Sequence, residues 1–277
     1  MPTVLLTRSG PDNAASAARI RSAIAAGRLP RGTAICSLST SRVLPGPTAT
    51  GDGEPPDAAA LAAEVDERIR GVAALALTSR HGAQAALTLL GAARLRAFRA
   101  AGGVLGCVGP ATARILLRAG IEVDLIASPA TAAGLGAGLV ARLPRGATVA
   151  HLCGDRARPE LGAAVHQAGM AYAALPVYRN AASAAPRADV ASRALRADLV
   201  LVFAPSAAER LYSLLPALRQ RPALAIGPTT AAALRTSHGV APIAVAESGA
   251  DWVPALAAAL AVLAAHTRRH PSAEEPR

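Results

Sequence analysis

Short apolar runs alternate with longer Ala-rich stretches along almost the whole chain. A parallel β-sheet covered by helices on both faces produces this pattern, because its strands are buried on both sides and each is followed by a helix. The apolar runs predict strands at Val4–Thr7, Thr33–Leu38, Val72–Thr78, Val104–Val108, Val123–Ile126, Thr148–Leu152, Ala173–Tyr178, Leu199–Phe203, Ala223–Ile226 and Ile243–Val245.

The Ala-rich stretches predict the helices that cover these strands, and Asp12 is the expected N-cap of the first one. The fold class that follows is α/β, with doubly wound parallel sheets of the flavodoxin-like kind. The predicted helices are Asn13–Ala26, Ala58–Arg70, Ala83–Ala101, Ala111–Ala119, Ala130–Leu143, Pro159–Ala168, Ala207–Leu218, Thr230–Ser237 and Asp251–Ala265.

One strand-to-helix turn occurs twice, as G-P-A-T-A at Gly109–Ala113 and G-P-T-T-A at Gly227–Ala231. Glycine lets the chain leave a strand tightly, and proline suits the first turn of a helix. The unpaired N–H groups of such a helix start attract anions. A capped helix without a ligand would explain one copy, whereas two copies favour a pair of anion sites facing one cleft, with the hydroxyls of Thr112 and Thr230 free to cap or to reach outward.

Two stretches have the composition of connectors, and they divide the chain. Residues 45–56 are rich in Pro and Gly, and residues 180–186 are short, small and polar. The N-terminal βαβ piece and the C-terminal third could complete one sheet together, although neither could alone. We therefore predict a discontinuous lobe at 1–38 plus 180–266, an inserted lobe at 56–170, connectors at 39–55 and 171–179, and a disordered tail at 267–277.

The basic residues are all arginine, and the formal net charge is +11. The guanidinium group binds carboxylates and phosphates through a planar fork, so the charge suggests an acidic ligand. A GC-rich genome that encodes Arg wherever Lys would serve explains it equally well. Nucleic acid is not the predicted partner, because the arginines are dispersed and aromatic residues make up only 2% of the chain.

Several other classes of protein lack their signatures in this sequence. Three scattered cysteines argue against a disulfide framework or a zinc site, and the histidines show no ligand spacing beyond a loose His151 and Asp155 pair. No leader and no apolar stretch long enough for a membrane span is visible, which predicts a cytoplasmic protein. A nucleotide-binding flavodoxin-like protein stays a weaker alternative, since the glycines of 102–106 precede a strand and those of 134–138 suit helix packing.

Four segments, in this order along the chain, resemble the uroporphyrinogen-III synthase family. They are L-T-S-R-H-G at Leu77–Gly82, V-G-P-A-T-A at Val108–Ala113, L-P-V-Y at Leu175–Tyr178 and A-I-G-P-T-T-A at Ala225–Ala231. The similarity runs from Val4 to Trp252, and the order of the segments carries more weight than any one of them.

The resemblance implies two α/β lobes, one of them discontinuous, joined by a two-stranded connector. It also implies a reaction in which linear hydroxymethylbilane closes to a macrocycle with inversion of ring D and loss of water. The substrate carries eight carboxylates, and the enzyme uses no cofactor and no metal. The implied partner is this small molecule alone, with no nucleic acid and no membrane, and we expect a monomer.

The resemblance assigns roles to particular residues. Tyr178 matches the family tyrosine that would assist departure of the hydroxyl group. One departure concerns Ala204, which stands where the family has a hydroxyl-bearing residue; this leaves open a non-catalytic, polyacid-binding or tetrapyrrole-binding homologue. The implied substrate-binding residues are Arg8, Thr78, Ser79, Gly109, Thr112, Ser206, Gly227, Thr229 and Thr230.

Overall fold

The computed structural model describes residues 1–46, 57–247 and 251–269, and it divides the chain into two compact units. Unit 1 is formed by Met1–Arg42 with Ala181–Arg277, and unit 2 by Val43–Asn180. Each unit is an α/β layer structure with a mostly parallel sheet, so the predicted fold class is confirmed. Residues 47–55 of the predicted connector and 270–277 of the predicted tail lie outside the described residues.

The sheet of unit 1 has five strands, and every pair in it is parallel. The strands are β1 (Thr3–Leu6), β2 (Ala34–Ser37), β9 (Leu199–Val202), β10 (Ala223–Ile226) and β11 (Ala244–Ala246). Their order across the sheet is β11-β10-β9-β1-β2, which, numbered along the unit, is the 2-1-3-4-5 order of flavodoxin-like sheets. The order reverses between β1 and β9, which is where such sheets bind ligands.

Helices cover both faces of this sheet. They are α1 (Gly10–Ala25), α7 (Ala188–Leu195), α8 (Pro205–Leu214), α9 (Pro228–His238) and α10 (Val253–Arg269), with a 3₁₀ turn at Pro216–Gln220. Alternate residues of each strand enter different cores. Leu199 and Leu201 pack into one cluster with α1 and α10, and Val200 and Val202 pack into another with α7, α8 and α9.

The sheet of unit 2 has six strands. They are β3 (Ser41–Pro45), β4 (Ala74–Leu77), β5 (Val104–Cys107), β6 (Leu125–Ile126), β7 (Thr148–Gly154) and β8 (Ala171–Ala182). Their order across the sheet is β3-β8-β7-β4-β5-β6. The pairs from β8 through β6 are parallel, and the order reverses between β4 and β7.

Two helical layers cover the sheet of unit 2. The helices are α2 (Ala58–Arg68), α3 (Arg80–Ala100), α4 (Pro110–Arg118), α5 (Ala132–Val140) and α6 (Glu160–Gln167). Helices α2, α3 and α4 pack on the face that carries Leu75 and Leu77, and α5 and α6 pack on the opposite face. A Cβ on Gly136 of α5 would lie 2.7 Å from the Ala164 methyl group of α6, so this glycine serves close helix packing as predicted, whereas Gly138 packs against Leu125 of β6.

The structure differs from the sequence prediction at a few elements. The sequence pattern predicts neither β3 nor α7: β3 lies at a sheet edge, where its Pro45 is tolerated, and α7 buries only Ala194. Asp12 is not the cap of α1. The helix begins at Gly10 after Ser9, whose hydroxyl donates to Asp12 in the first turn at 2.9 Å. The last helix continues to Arg269, into the predicted tail.

None of the helices in the described part of the chain is long and apolar enough to cross a membrane. Within residues 1–46, 57–247 and 251–269, no three His, Cys, Asp or Glu side chains come together as a metal-binding group.

Candidate active site

Two consecutive hydroxyl-bearing residues follow β4 at the switch point of unit 2. Side chains of a strand point alternately to the two faces of the sheet. Ala74 and Ala76 face α5 and α6, whereas Leu75 and Leu77 face α2, α3 and α4. Continued through the strand end, this alternation sends Thr78 and Ser79 to opposite faces of the sheet.

Ser79 forms a hydrogen bond with the phenol of Tyr178, with 2.8 Å between the two oxygens. Ser79 is also the N-cap of α3, and its oxygen accepts the N–H of Gly82 at 2.9 Å. The Tyr178 side chain is largely buried beside His81, with 5.7 Å between the ring centroids. The structure thus brings together two predicted site residues that lie 99 positions apart in the chain.

A β-bulge aims Tyr178 at Ser79. Along β8, Pro176 pairs with Cys153 and Tyr178 pairs with Gly154, so Val177 is an extra residue on this strand. Strict alternation would place Tyr178 on the face of Tyr172, which packs toward α5 and α6. The bulge turns it instead into the cluster of Val177 and α3.

Gly154 makes room for the tyrosine ring at this bulge. A Cβ at Gly154 would lie 2.9 Å from two carbons of the Tyr178 ring and 3.1 Å from its hydroxyl oxygen. Any other residue would therefore displace the phenol. Burial raises the pKa of Tyr178, and the hydrogen bond with Ser79 opposes part of that increase. The phenol consequently holds its proton at neutral pH.

Thr78 belongs to a second chain of hydrogen bonds on the other face. Its hydroxyl lies 2.7 Å from Nε2 of His151, and Nδ1 of the same imidazole lies 2.7 Å from the phenol of Tyr172. His151 is 1% exposed, and its burial lowers the pKa to about 4. The imidazole is therefore neutral at physiological pH, with one N–H donor and one acceptor nitrogen.

The first copy of the repeated turn begins α4 after β5. Gly109 is the N-cap residue, Pro110 follows it, and no side chain caps the helix. The backbone of Gly109 is extended, with φ −178°, so the turn does not require glycine for its conformation. Thr112 is buried, and its N–H donates to the carbonyl of Gly109 at 3.1 Å.

The second copy begins α9 after β10 and has a different backbone. Gly227 has φ 93°, a region that favours glycine, and again no side chain caps the helix. Thr229 is exposed, whereas Thr230 is buried and its hydroxyl donates to the carbonyl of Ile226 at 3.0 Å. This corrects the expectation of a free hydroxyl at Thr230, since only its backbone N–H remains to meet a ligand.

At the switch point of unit 1, Arg8 follows β1 and lies over an aromatic ring. Its guanidinium carbon is 4.6 Å from the ring centroid of Phe203, and the ring of Phe203 packs edge-on against Trp252. The guanidinium also pairs with Asp12 at 3.5 Å. Arg8 is therefore held at the carboxyl edge of the sheet, rather than freely solvated.

The helix that follows β9 has no hydroxyl at its cap. Ala204 is the N-cap of α8, Pro205 follows it, and no side-chain hydrogen bond closes this helix start. Ser206 lies in the first turn and is partly buried. No hydrogen bond places Ser206 in the role that Ser79 has in unit 2, so its substrate-binding role stays a prediction.

Sequence reasoning missed three residues of the unit 2 site: His151, Tyr172 and Gly154. The sequence presents His151 as an ordinary surface or core histidine, and it carries no prediction for the two others. A histidine inside the apolar run of β7 was the available signal, because a polar residue buried between strands needs partners for its ring nitrogens.

Comparison with solved structures supports the fold. A mutant uroporphyrinogen III synthase from Thermus thermophilus is 20% identical, with a TM-score of 0.51 over 97% of this chain and 100% of that one. The uroporphyrinogen-III synthetase from Helicobacter pylori 26695 is 15% identical, with a TM-score of 0.60 over 96% of this chain and 100% of that one. At these identities the likeness concerns the fold alone. A search of curated proteins found no match.

The family itself is established by sequence. The family model described as uroporphyrinogen-III synthase HemD matches residues 48–250, which is most of the chain and includes Ser79, Tyr178 and both copies of the repeated turn. This match confirms the resemblance drawn from the four ordered segments. The chain therefore belongs to the uroporphyrinogen-III synthase family, the cyclising hydro-lyases of tetrapyrrole biosynthesis.

Proposed function

We propose that this chain closes hydroxymethylbilane to uroporphyrinogen III, with inversion of ring D and loss of water, and that Tyr178 is its catalytic residue. The observation that carries the assignment is the hydrogen bond between Ser79 and Tyr178, aimed by the bulge of β8. It supports a phenol that is buried, protonated and held in one direction at the carboxyl edge of the sheet.

The chemistry requires help for a departing hydroxyl group. Ser79 already accepts the N–H of Gly82, so its own proton is available to donate to the Tyr178 oxygen. The proton of Tyr178 then points away from Ser79 and can be donated to the hydroxyl group that leaves. As negative charge develops on the phenol oxygen, the hydrogen bond from Ser79 stabilises it.

The other requirement is that the protein hold the substrate in the right conformation, because an unconstrained linear tetrapyrrole closes by itself to the wrong isomer. Helices α4, α8 and α9 each begin with proline and lack a side-chain cap. Some N–H groups of these first turns are already paired, since those of Thr112 and Ala207 donate to the carbonyls of Gly109 and Ala204. The other N–H groups at these helix starts can bind carboxylates. We assign carboxylate binding to the starts of α4 (Gly109 and Thr112), α8 (Ser206) and α9 (Gly227, Thr229 and Thr230), with Arg8 and the Thr78–Ser79 pair adding side-chain donors.

The proposal includes a cytoplasmic monomer that needs no cofactor and binds neither nucleic acid nor membrane. The three cysteines are free thiols, which suits a reducing compartment. The arginines are dispersed along the sequence rather than clustered, which suits a small polyacid better than a nucleic-acid backbone.

The direct test is product analysis. Purified protein is incubated with hydroxymethylbilane generated in the same vessel, and the cyclic products are oxidised and separated by isomer. We expect the type III isomer to predominate. Type I alone would overturn the synthase assignment, and tight binding of uroporphyrinogen III without turnover would support the non-catalytic homologue instead.

A further inference from the structure

We propose that His151 is a positioning residue that fixes the direction of the Thr78 hydroxyl, so that the Thr78 proton points outward to an oxygen of the bound ligand. The inference rests on the proposed function only for the identity of that ligand, a polycarboxylate. It assigns a role to the buried His151 and the half-buried Tyr172, which the ring-closing chemistry at Tyr178 does not use.

The geometry forms a continuous chain across the sheet. Thr78 follows β4, His151 lies on β7, and Tyr172 lies on β8, and the two contacts made by the imidazole are both 2.7 Å. The same strands carry the Ser79–Tyr178 contact on the opposite face. Each hydroxyl at the end of β4 is thus joined to a tyrosine of β8, one directly and the other through a histidine.

The tyrosine ring is fixed in place by its neighbours. A Cβ on Gly162 of α6 would lie 2.9 Å from the Tyr172 ring, and the His166 ring packs edge-on against it at 5.9 Å between centroids. Tyr172 therefore cannot easily swing away from Nδ1 of His151. Burial raises the pKa of Tyr172 to about 12, which keeps its proton in place.

A neutral imidazole allows two arrangements of the protons. In the first, Tyr172 donates to Nδ1 and the Nε2–H group donates to Thr78, whose own proton stays available. In the second, Thr78 donates to Nε2 and the Nδ1–H group donates to Tyr172, so the proton of Thr78 is used inside the protein. A phenol is a stronger donor and a weaker acceptor than an aliphatic alcohol, which favours the first arrangement.

The arrangement gives Thr78 the same orientation that Ser79 gives Tyr178. In the first pair His151 donates to Thr78, and in the second Ser79 donates to Tyr178, so the hydroxyls of Thr78 and Tyr178 keep their protons for the ligand. The difference is that Tyr178 can release a proton during the reaction, whereas the alcohol of Thr78 only donates a hydrogen bond. The expected contribution of His151 is therefore to binding rather than to turnover.

Nitrogen NMR of protein labelled with ¹⁵N-histidine tests the direction of the two hydrogen bonds at His151 and does not depend on enzyme activity. We expect the His151 signals of a neutral ring protonated at Nε2. Tyr172→Phe removes the donor that fixes this tautomer, so we expect signals of an Nδ1–H form to appear beside those of the Nε2–H form, with the Thr78 hydroxyl turned inward in the Nδ1–H form. His166→Gln is the matched control, since it removes a neighbour of Tyr172 that makes no hydrogen bond to His151.

The affinity for uroporphyrinogen III, measured by anaerobic calorimetry, tests whether the oriented Thr78 hydroxyl binds the ligand. Thr78→Val should weaken binding by about ten- to a hundredfold, the range of one hydrogen bond to a charged group, and Tyr172→Phe should weaken it by less. The double variant should be no weaker than Thr78→Val, because both changes act on the same donor. We expect kcat to change much less than KM in all three variants.

Two results would overturn the inference: an Nδ1–H tautomer in the wild-type protein, or additive losses in the double variant. These outcomes differ from failure of the proposed function. A wild-type protein that neither binds uroporphyrinogen III nor forms the type III isomer would reject the synthase role, while the NMR signals of His151 would still decide the direction of the hydrogen bonds.

Discussion

Two neighbouring residues at the end of β4, Thr78 and Ser79, lie on opposite faces of the sheet and have different proposed roles. The pleat sends Thr78 and Ser79 to different faces, and each hydroxyl is connected to a tyrosine of β8. The side facing α3 holds the phenol that is suited to proton donation. The side facing α5 and α6 holds a neutral histidine, whose role is to orient rather than to react.

Tyr178→Phe tests the catalytic assignment. The change removes one hydroxyl and keeps the ring between His81 and Gly154, so the fold should be preserved. We expect kcat to fall by about a hundredfold, the lower end of what a general acid contributes. The measurement is the initial rate of type III isomer formation, together with circular dichroism to confirm folding.

Tyr212→Phe is the matched control for this experiment. Tyr212 is fully buried in unit 1, and its hydroxyl has no hydrogen-bond partner among the described residues. Removing a buried hydroxyl that is unsatisfied should leave the rate unchanged and the stability equal or higher. A Tyr178→Phe enzyme as fast as the Tyr212→Phe enzyme would remove Tyr178 from the mechanism.

The sequence identified Ser79 and Tyr178 as site residues but could not identify His151. The first two lie in segments that resemble a family, and such a resemblance can be recognised without knowing which residues are close in space. The role of His151 depends on Thr78 and Tyr172, which lie 73 and 21 positions away along the chain. Such a contact follows from strand order and register, which a single sequence does not contain.

At the scale of elements, the helices after the strands begin in two ways. Helix α3 is capped by the Ser79 side chain, which uses that residue's oxygen and holds it beside Tyr178. Helices α4, α8 and α9 begin with proline and have no capping side chain, so the N–H groups of their first turns that make no backbone bond remain available. The type of helix start therefore separates the catalytic position from the proposed carboxylate positions.

Thr229→Val and Thr230→Val form a matched pair at the start of α9. Thr229 is exposed, so losing its hydroxyl should weaken binding of uroporphyrinogen III by about three- to tenfold and leave stability unchanged. Thr230 bonds to the carbonyl of Ile226, so losing its hydroxyl should cost about 1 kcal/mol of stability with little effect on affinity. Calorimetry and urea unfolding distinguish the two, and a reversed pattern would contradict the assignment.

Gly154→Ala tests whether the bulge of β8 positions the phenol. The new methyl group would lie 2.9 Å from the Tyr178 ring, so the ring must move and its bond to Ser79 must break. We expect a loss of kcat close to that of Tyr178→Phe, with the helix content preserved. Gly10→Ala is the control, because its methyl group would lie 3.7 Å from the Ser39 hydroxyl, an ordinary contact. Full activity in Gly154→Ala would show that the ring tolerates displacement.

Helices and strands were predicted correctly where most of their residues are buried, and were missed where few residues are buried. Strands such as β4 and β9 are buried at every residue and are read directly as apolar runs. The edge strand β3 and the short helix α7 bury little, and each is too short to give a long apolar pattern. The bulge at Val177 was missed, although Pro176 beside it was an available signal, because proline within a sheet is confined to edge strands, strand starts and bulges.

At the scale of the molecule, the two sheets have the same strand order in a circularly permuted chain. Reading from one edge, unit 2 has β6-β5-β4-β7-β8 and unit 1 has β11-β10-β9-β1-β2. β5 therefore corresponds to β10, which explains why the repeated turn follows both of them. β4 corresponds to β9, so Ser79 and Ala204 occupy equivalent positions after those strands. The units are alike in architecture and different in chemistry.

This difference has a physical consequence for each switch point. In unit 2, the strands on either side of the reversal bring a phenol, two hydroxyls and a neutral histidine together. In unit 1, they bring Arg8 over Phe203, beside a helix start capped by alanine. We therefore assign proton donation to unit 2 and charge neutralisation to unit 1.

The buried histidine of unit 2 also makes the stability of the protein depend on pH. In the unfolded chain a histidine binds a proton near its ordinary pKa of 6.5, whereas burial lowers the pKa of His151 to about 4. Between these two values the unfolded state holds a proton that the folded state does not. Stability should therefore be complete above pH 6.5 and fall as the pH drops toward 4, by up to about 1.4 kcal/mol per pH unit from this group.

His151→Gln removes this titration. The substitution also destabilises the protein at every pH, but that loss cancels when the change in unfolding free energy between two pH values is taken for each protein separately. We expect the wild-type protein to lose about 2 kcal/mol more than His151→Gln between pH 7 and pH 4.5, measured as the free energy of unfolding in urea. Carboxylates such as Asp124, whose pKa is lowered beside Arg99, contribute equally to both proteins. Parallel pH curves would mean that His151 binds a proton in the folded state, and the neutral imidazole on which the Thr78 orientation depends would then be wrong.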